Sequence, residues 1–89
     1  MNLVWTGQFK KDYKRAKKQG KDLGDLRSVV EKLAGREPLL VKNRDHNLSG
    51  RWNKHRECHI APDWLLIYRI EGDDLILQRT GSHSELFQE

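Results

Sequence analysis

Residues 55 to 69, His-Arg-Glu-Cys-His-Ile-Ala-Pro-Asp-Trp-Leu-Leu-Ile-Tyr-Arg, form the most apolar stretch of an otherwise very polar chain. Ala61-Pro62-Asp63 interrupts it and Pro62 presets a bend, so the stretch reads as two strands joined by a tight turn. Alternation before the turn puts Arg56, Cys58 and Ile60 on one face and His55, Glu57 and His59 on the other. After the turn, Trp64-Leu65-Leu66-Ile67-Tyr68 is apolar on both faces, the pattern of a central strand covered on two sides. The hairpin therefore supplies the core and carries His59 and Asp63 at one end.

The other segments follow from local signals. Leu3-Val4-Trp5 is β-prone, and Thr6 is a suitable N-cap for a helix from about Gly7 to Gln19. Phe9, Tyr13 and Ala16 give that helix a narrow apolar stripe, with Lys10, Lys11, Lys14, Arg15, Lys17 and Lys18 on the opposite side. Gly20 ends it and Asp22 caps a second helix, whose stripe is Leu23, Leu26, Val30 and Leu33. The short link implies an antiparallel helical pair. Residues 39 to 53 show little periodicity, and Asp45 to Gly50 reads as a loop, with the next strand beginning at Arg51 or Trp52. Glu71-Gly72-Asp73-Asp74 is a hairpin turn. The strand after it places Leu75, Leu77 and Arg79 on one face, and the tail from Gly81 to Phe87 suits a single helical turn. The expectation is one domain over residues 1–89: α+β, in the order β-α-α-β-β-β, with an N-terminal helical hairpin packed on a small, mainly antiparallel sheet.

Charge narrows the function. Residues 1 to 36 hold ten Lys/Arg and four Asp/Glu, a net of +6, whereas residues 37 to 89 carry a net of −2. This distribution favours an anionic partner, either nucleic acid or an acidic protein. No apolar run approaches the roughly 18 residues of a membrane span, no signal-peptide core is present, and the single cysteine excludes an intrachain disulfide framework. A cytoplasmic protein without a membrane partner is expected.

Four histidines invite a metal hypothesis. Alternation, however, turns Cys58 away from His55 and His59, and no spacing matches a zinc module. For the same reason Cys58 reads as a buried apolar residue rather than a nucleophile. What remains is a set of acid/base groups. If the last strand pairs antiparallel with residues 64–70, residue 64 lies near residue 80. Asp63, Trp64, Arg79 and His83 then converge on one edge, joined by His59 across the turn. Histidines and a carboxylate around an arginine suit cleavage of RNA without metal or cofactor: one group deprotonates the ribose 2′-OH, another protonates the leaving 5′-oxygen, and arginine offsets phosphoryl charge. Trp64 and Phe87 are candidates for base stacking, or else core aromatics.

Three segments carry a family resemblance: Asp45-His46-Asn47-Leu48-Ser49-Gly50, Cys58 through Tyr68, and Arg79-Thr80-Gly81-Ser82-His83-Ser84-Glu85-Leu86-Phe87. Together they resemble the YafQ branch of the RelE/ParE superfamily of bacterial toxins, and the likeness extends over nearly the whole chain. It implies a RelE-like, microbial-ribonuclease-like fold and a type II toxin that cuts mRNA in the A site of the translating 70S ribosome. A cognate acidic antitoxin would neutralise it, in a toxin–antitoxin complex that could be a heterotetramer. By matching position it implies a catalytic set of His46, His59, Asp63 and His83, with substrate held by Trp64, Arg79 and Phe87. Asp63 and His83 resemble the base and acid pair, in either order, and His55 has no place in the pattern. Two other classes stay open: a ParE-like gyrase inhibitor without nuclease chemistry, and a non-catalytic RNA- or ribosome-binding module using the basic helix.

Overall fold

The computed structural model describes residues 1–87. Its elements are β1 (Asn2–Trp5), α1 (Gly7–Lys18), α2 (Leu23–Ala34), β2 (His46–Asn47), β3 (Arg56–Ala61), β4 (Trp64–Glu71), β5 (Asp74–Gly81) and α3 (His83–Leu86). The five strands form one sheet in the order β1-β5-β4-β3-β2, with β1 parallel to β5 and the other pairs antiparallel. The α+β class and the helical hairpin are as the sequence predicts. No helix among the described residues is long and apolar enough to cross a membrane.

The caps explain where the helices begin. Thr6 Oγ1 accepts the amide of Phe9 at 3.0 Å, and Asp22 Oδ1 accepts that of Gly24 at 2.9 Å, each satisfying a donor the first turn leaves free. Phe9, Ala16, Leu26, Val29, Val30 and Leu33 bury the inner faces of α1 and α2 against Cys58, Trp64, Leu66, Tyr68, Leu75 and Leu77. β4 is the central strand, and its alternation sends Leu65 and Ile67 to the opposite face. There a smaller cluster forms with Leu86, Leu48, Trp52 and Phe87. Burying both faces of one strand requires the continuous apolar run that opens the sequence reading.

Three local features depart from expectation. A short strand, β2, forms inside the anticipated loop. β3 starts at Arg56 rather than Arg51 or Trp52, because Gly50–Trp52 is a 3-10 turn. β2 lacks an apolar pattern because side chains hold it. Asp45 takes Tyr68 Oη at 2.6 Å and Arg56 Nη2 at 3.1 Å, while Arg56 Nη1 reaches Asn47 Oδ1 at 2.6 Å. The third departure is a β-bulge. Ile67 faces Arg79 but Tyr68 faces Leu77, so Gln78 is an extra residue in β5. Arg79 therefore leaves the face of Leu75 and Leu77. The register beyond the bulge pairs Leu66, not residue 64, with Thr80.

β1 ends at Trp5, opposite Leu77, which leaves the last residues of β5 paired with β4 on one side and without a strand partner on the other. Side chains of α1 replace it. Asp12, fully buried, accepts the amide of Thr80 at 3.2 Å, and Arg15 Nη2 donates to the Thr80 carbonyl at 3.0 Å. Arg15 also pairs with Glu85 of α3 at 3.1 Å. It thus belongs to the interior side of α1 and not to the solvated basic face that the helical spacing predicts. Gly81 sits beneath this knot: a Cβ there would come within 2.7 Å of Arg15 Nη2 and 3.0 Å of Glu85 Oε1. Gly81→Ala is expected to push Arg15 off Thr80, at a cost of about 1 kcal/mol, lowering the melting temperature by roughly 4–8 °C in calorimetry.

Candidate active site

Cross-strand register builds the site. On the face turned away from α1 and α2, one row across the sheet runs His46, Glu57, Ile67, Arg79, and the next runs His59, Leu65, Gly81. Directly opposed residues share a face, so pairing alone gathers His46, Glu57 and His59. The Pro62-Asp63 turn and the start of α3 then bring Asp63 and His83 to the end of the second row.

Asp63 is the hinge of this arrangement. Its Oδ1 accepts both the backbone amide of His83 at 2.9 Å and the ring Nδ1–H of the same residue at 2.7 Å. The amide contact, then the imidazole, hold the Asp63 carboxyl below the usual carboxylate range. It is therefore an acceptor at neutral pH, which places the ring proton of His83 on Nδ1 and leaves Nε2 free for chemistry. Ser82 caps α3 through its hydroxyl, and Glu85 returns to the Ser82 amide at 2.8 Å, a capping box that fixes a very short helix. The rings of His83 and His59 stand 5.6 Å apart, edge to face.

Glu57 lies behind the histidines, 5 % exposed. Its Oε1 is 3.4 Å from His59 Nε2 and its Oε2 is 4.0 Å from His46 Nε2. Asn43 braces the same corner, accepting the Leu40 amide at 3.1 Å and donating to the His59 carbonyl at 2.8 Å. His46 is oriented through Nδ1, which donates to the Arg44 carbonyl at 2.7 Å. One ligand atom each of Glu57, His59 and His83 lies within 4.8 Å of the other two.

The structure thus assembles His46, His59, Asp63 and His83, with Phe87 half-buried beside Trp52 at the rim, 6.4 Å between rings. Two expected members lie elsewhere. Trp64 is not on the shared wall: alternation along β4 turns it to the helical side, where it is 3 % exposed and packed in the main core. Lys21 Nζ lies 5.6 Å from its ring centroid, and its buried Nε1 has no hydrogen-bond partner among the described residues. Arg79 starts from the histidine face but bends round the sheet edge to Asp12, with Nε to Oδ2 at 2.9 Å and Nη2 to Oδ1 at 3.0 Å. Two of its five N–H groups are thereby committed and three remain. Glu57 has no place in the expected set, although alternation had put it on the face of His59. His55 packs its ring edge-on to Trp52 at 5.3 Å and stays outside the cluster. Cys58 is fully buried, and burial, then Asp45 and Glu57 nearby, push its thiol up to about 12, so it supplies no thiolate.

This basic α+β domain, with acid/base side chains on one face of its sheet, is a bacterial toxin of the type II toxin–antitoxin class. The family model described as "Bacterial toxin of type II toxin-antitoxin system, YafQ" matches residues 1–88, and the chain belongs to that family. The mRNA interferase toxin YafQ of Escherichia coli K12 is 38 % identical over 87 residues, covering 97 % of this chain and 95 % of that one. A copper-bound mutant toxin from Helicobacter pylori superposes with a TM-score of 0.94 at 44 % identity, over 98 % and 99 % of the two chains. The toxin in the E. coli DinJ–YafQ toxin–antitoxin complex superposes with a TM-score of 0.90 at 38 % identity, over 97 % of each chain.

Proposed function

We propose that this toxin is a ribosome-dependent endoribonuclease that cleaves mRNA in the A site by acid–base catalysis, with no metal required. The carrying observation is the Asp63–His83 pair at 2.7 Å, with the ring of His59 5.6 Å from that of His83. Two imidazoles at this separation flank a single phosphodiester. One accepts the proton of the 2′-OH as that oxygen attacks phosphorus, and the other donates to the departing 5′-oxygen, leaving a 2′,3′-cyclic phosphate. Asp63 fixes the tautomer and aim of His83. Glu57 and Asn43 hold His59, and His46 closes the side of the cleft. The three free N–H groups of Arg79 face the phosphoryl charge, and Phe87 offers a ring edge to a base. Trp64, buried on the other side of the sheet, acts only by seating the turn that carries Asp63.

The open cleft does not by itself bend RNA into line. A ribosome holding the codon meets that entropic cost, and the exposed Lys10, Lys11, Lys14, Lys17 and Lys18 of α1 supply a salt-sensitive grip on rRNA phosphates. The relationship to the toxin in the DinJ–YafQ complex supports an acidic antitoxin as the neutralising partner of this chain. Primer extension on total mRNA after induction tests the reading. Cuts in phase with codons are expected. DNA damage without such cuts supports gyrase inhibition instead, and growth arrest that persists in a His83→Ala variant but not after charge reversal at Lys14, Lys17 and Lys18 supports a binding module.

A further inference from the structure

Beyond Arg56 and Glu57, which pair with β2, the outer edge of β3 has no strand partner among the described residues. The segment before β2 covers it instead. Val41–Asn43 is a 3-10 turn, and Asn43, itself buried, donates from Nδ2 to the His59 carbonyl at 2.8 Å. That bond fixes the neighbours of Asn43, Lys42 and Arg44, beside His59. Between this segment and the end of β3 lies a cavity of about 380 Å³, whose lining includes Lys42, Arg44, His59 and Pro62.

Charge marks what the cavity takes. Its lining contains no carboxylate. Arg15, Arg36, Arg56, Arg69 and Arg79 each meet a carboxylate elsewhere in the fold. Lys42 and Arg44, both exposed, enter no ion pair among the described residues. The backbone adds a second sign. Arg44 is left-handed, with φ 46° and ψ 49°, a conformation that glycine adopts freely and arginine does not. Arg36 and Lys54 share that region, but only Arg44 uses its carbonyl to accept Nδ1–H of His46, at 2.7 Å. An arginine retained beside the site, where glycine would relieve the strain, points to a use for its guanidinium.

We propose that Lys42 and Arg44 form a second phosphate subsite for the RNA strand, holding the phosphodiester that flanks the scissile one on the His59 side. The inference rests on the ribonuclease reading, which sets the scissile phosphate between His59 and His83. A strand leaving that cleft over His59 meets the cavity next. Arg44 offers paired N–H donors to phosphate oxygens, and Lys42 adds a compact charge. Two anchored phosphates fix the direction of the strand across the cleft, so less ordering remains to be done when the 2′-oxygen attacks in line.

The probe is a trinucleotide with two phosphodiesters and methylated 2′-hydroxyls, which this chemistry does not cleave. Titrated into the purified full chain, it should move the NMR amide signals of residues 42 to 44 and of His59. Arg44→Gly removes the guanidinium, keeps the left-handed turn that aims His46, and is expected to melt no lower than the unaltered chain. Arg44→Gly and Lys42→Ala should each weaken binding roughly tenfold, the loss of one charge-assisted contact. Combined, they should flatten the plot of log affinity against log salt by about 0.7, the single-strand value for one phosphate. Lys54→Gly is the matched control, because it loses a cation at an exposed, left-handed position outside the cavity and should change neither quantity. No binding, binding that Arg44→Gly and Lys42→Ala leave unchanged, or an equal loss in Lys54→Gly overturns the subsite. On programmed ribosomes, Arg44→Gly should raise the toxin concentration for half-maximal cleavage roughly tenfold. Weaker ribosome association with unchanged trinucleotide binding assigns both cations to rRNA and also overturns the subsite. A chain that binds the trinucleotide here yet cleaves no mRNA sinks the ribonuclease reading and leaves the phosphate site standing.

Discussion

Replacing His83 with alanine should slow mRNA cleavage by about 10²–10⁴-fold, the range that one general acid or base contributes. The stability of the domain should change little, because the His83 side chain is half-exposed and leaves no cavity when truncated. Asp63→Ala should fall in the same range by another route. It removes the acceptor for both the His83 ring and the His83 amide, so His83 loses its tautomer and α3 loses an anchor. In Asp63→Asn the remaining carbonyl oxygen can still take one of those bonds, and a smaller loss is expected. The measurement is single-turnover cleavage of a programmed ribosome, alongside thermal melting and binding of the antitoxin, neither of which should change appreciably for His83→Ala. Undiminished growth inhibition in both alanine variants would remove acid–base chemistry from this face of the sheet.

How much of this was legible in the sequence depends on the range of the interaction. The central strand β4 was, because an apolar run with no alternation needs cover on both faces, and Leu65 and Ile67 receive theirs from α3 and the segment around Trp52. The helix starts were, because Thr6 and Asp22 cap within three residues of themselves. The convergence of His59, Asp63 and His83 was too, since a hairpin turn and a following strand leave them little choice. What failed depends on partners distant in the chain. β2 has no apolar pattern and exists through Asp45, Arg56 and Tyr68. The bulge at Gln78 carries no glycine to announce it, yet it moves Arg79 to the other face. Arg15 looks like one more cation on a basic helix until Thr80, 65 residues away, comes within 3.0 Å. Trp64 and Glu57 are placed otherwise than expected, one in the main core and the other beside the histidines. An aromatic beside a catalytic turn invites a stacking role, and a carboxylate between histidines invites none. Strand alternation, followed strictly, puts each on the face where it is found.

The second large effect is expected at a residue outside the cleft. Asp12 is fully buried on α1 and satisfies Arg79 twice, the Thr80 amide once, and Gln8 at 3.3 Å. Burial alone would raise its carboxyl, but the hydrogen bonds from Arg79, Thr80 and Gln8 outweigh it and hold the group below its ordinary value. Asp12→Ala leaves a partly buried guanidinium and a strand amide without partners. A cost of about 3 kcal/mol is expected, at the low end for a broken buried pair because Arg79 keeps some contact with water. In a domain of this size that lowers the melting temperature by roughly 12–24 °C. The sign with pH follows from the depressed folded-state value. The contribution of Asp12 is complete above the unfolded-state pKa of about 3.9 and is lost as pH falls through the lower folded-state value. Urea denaturation of wild type and Asp12→Ala at pH 7 should therefore show the full difference, and the gap should narrow well below pH 4. Equal stabilities at pH 7 would mean that the edge of β5 is held by Arg15 alone. Because Arg79 and α3 both hang on that edge, cleavage should fall with stability in this variant, whereas His83→Ala separates the two.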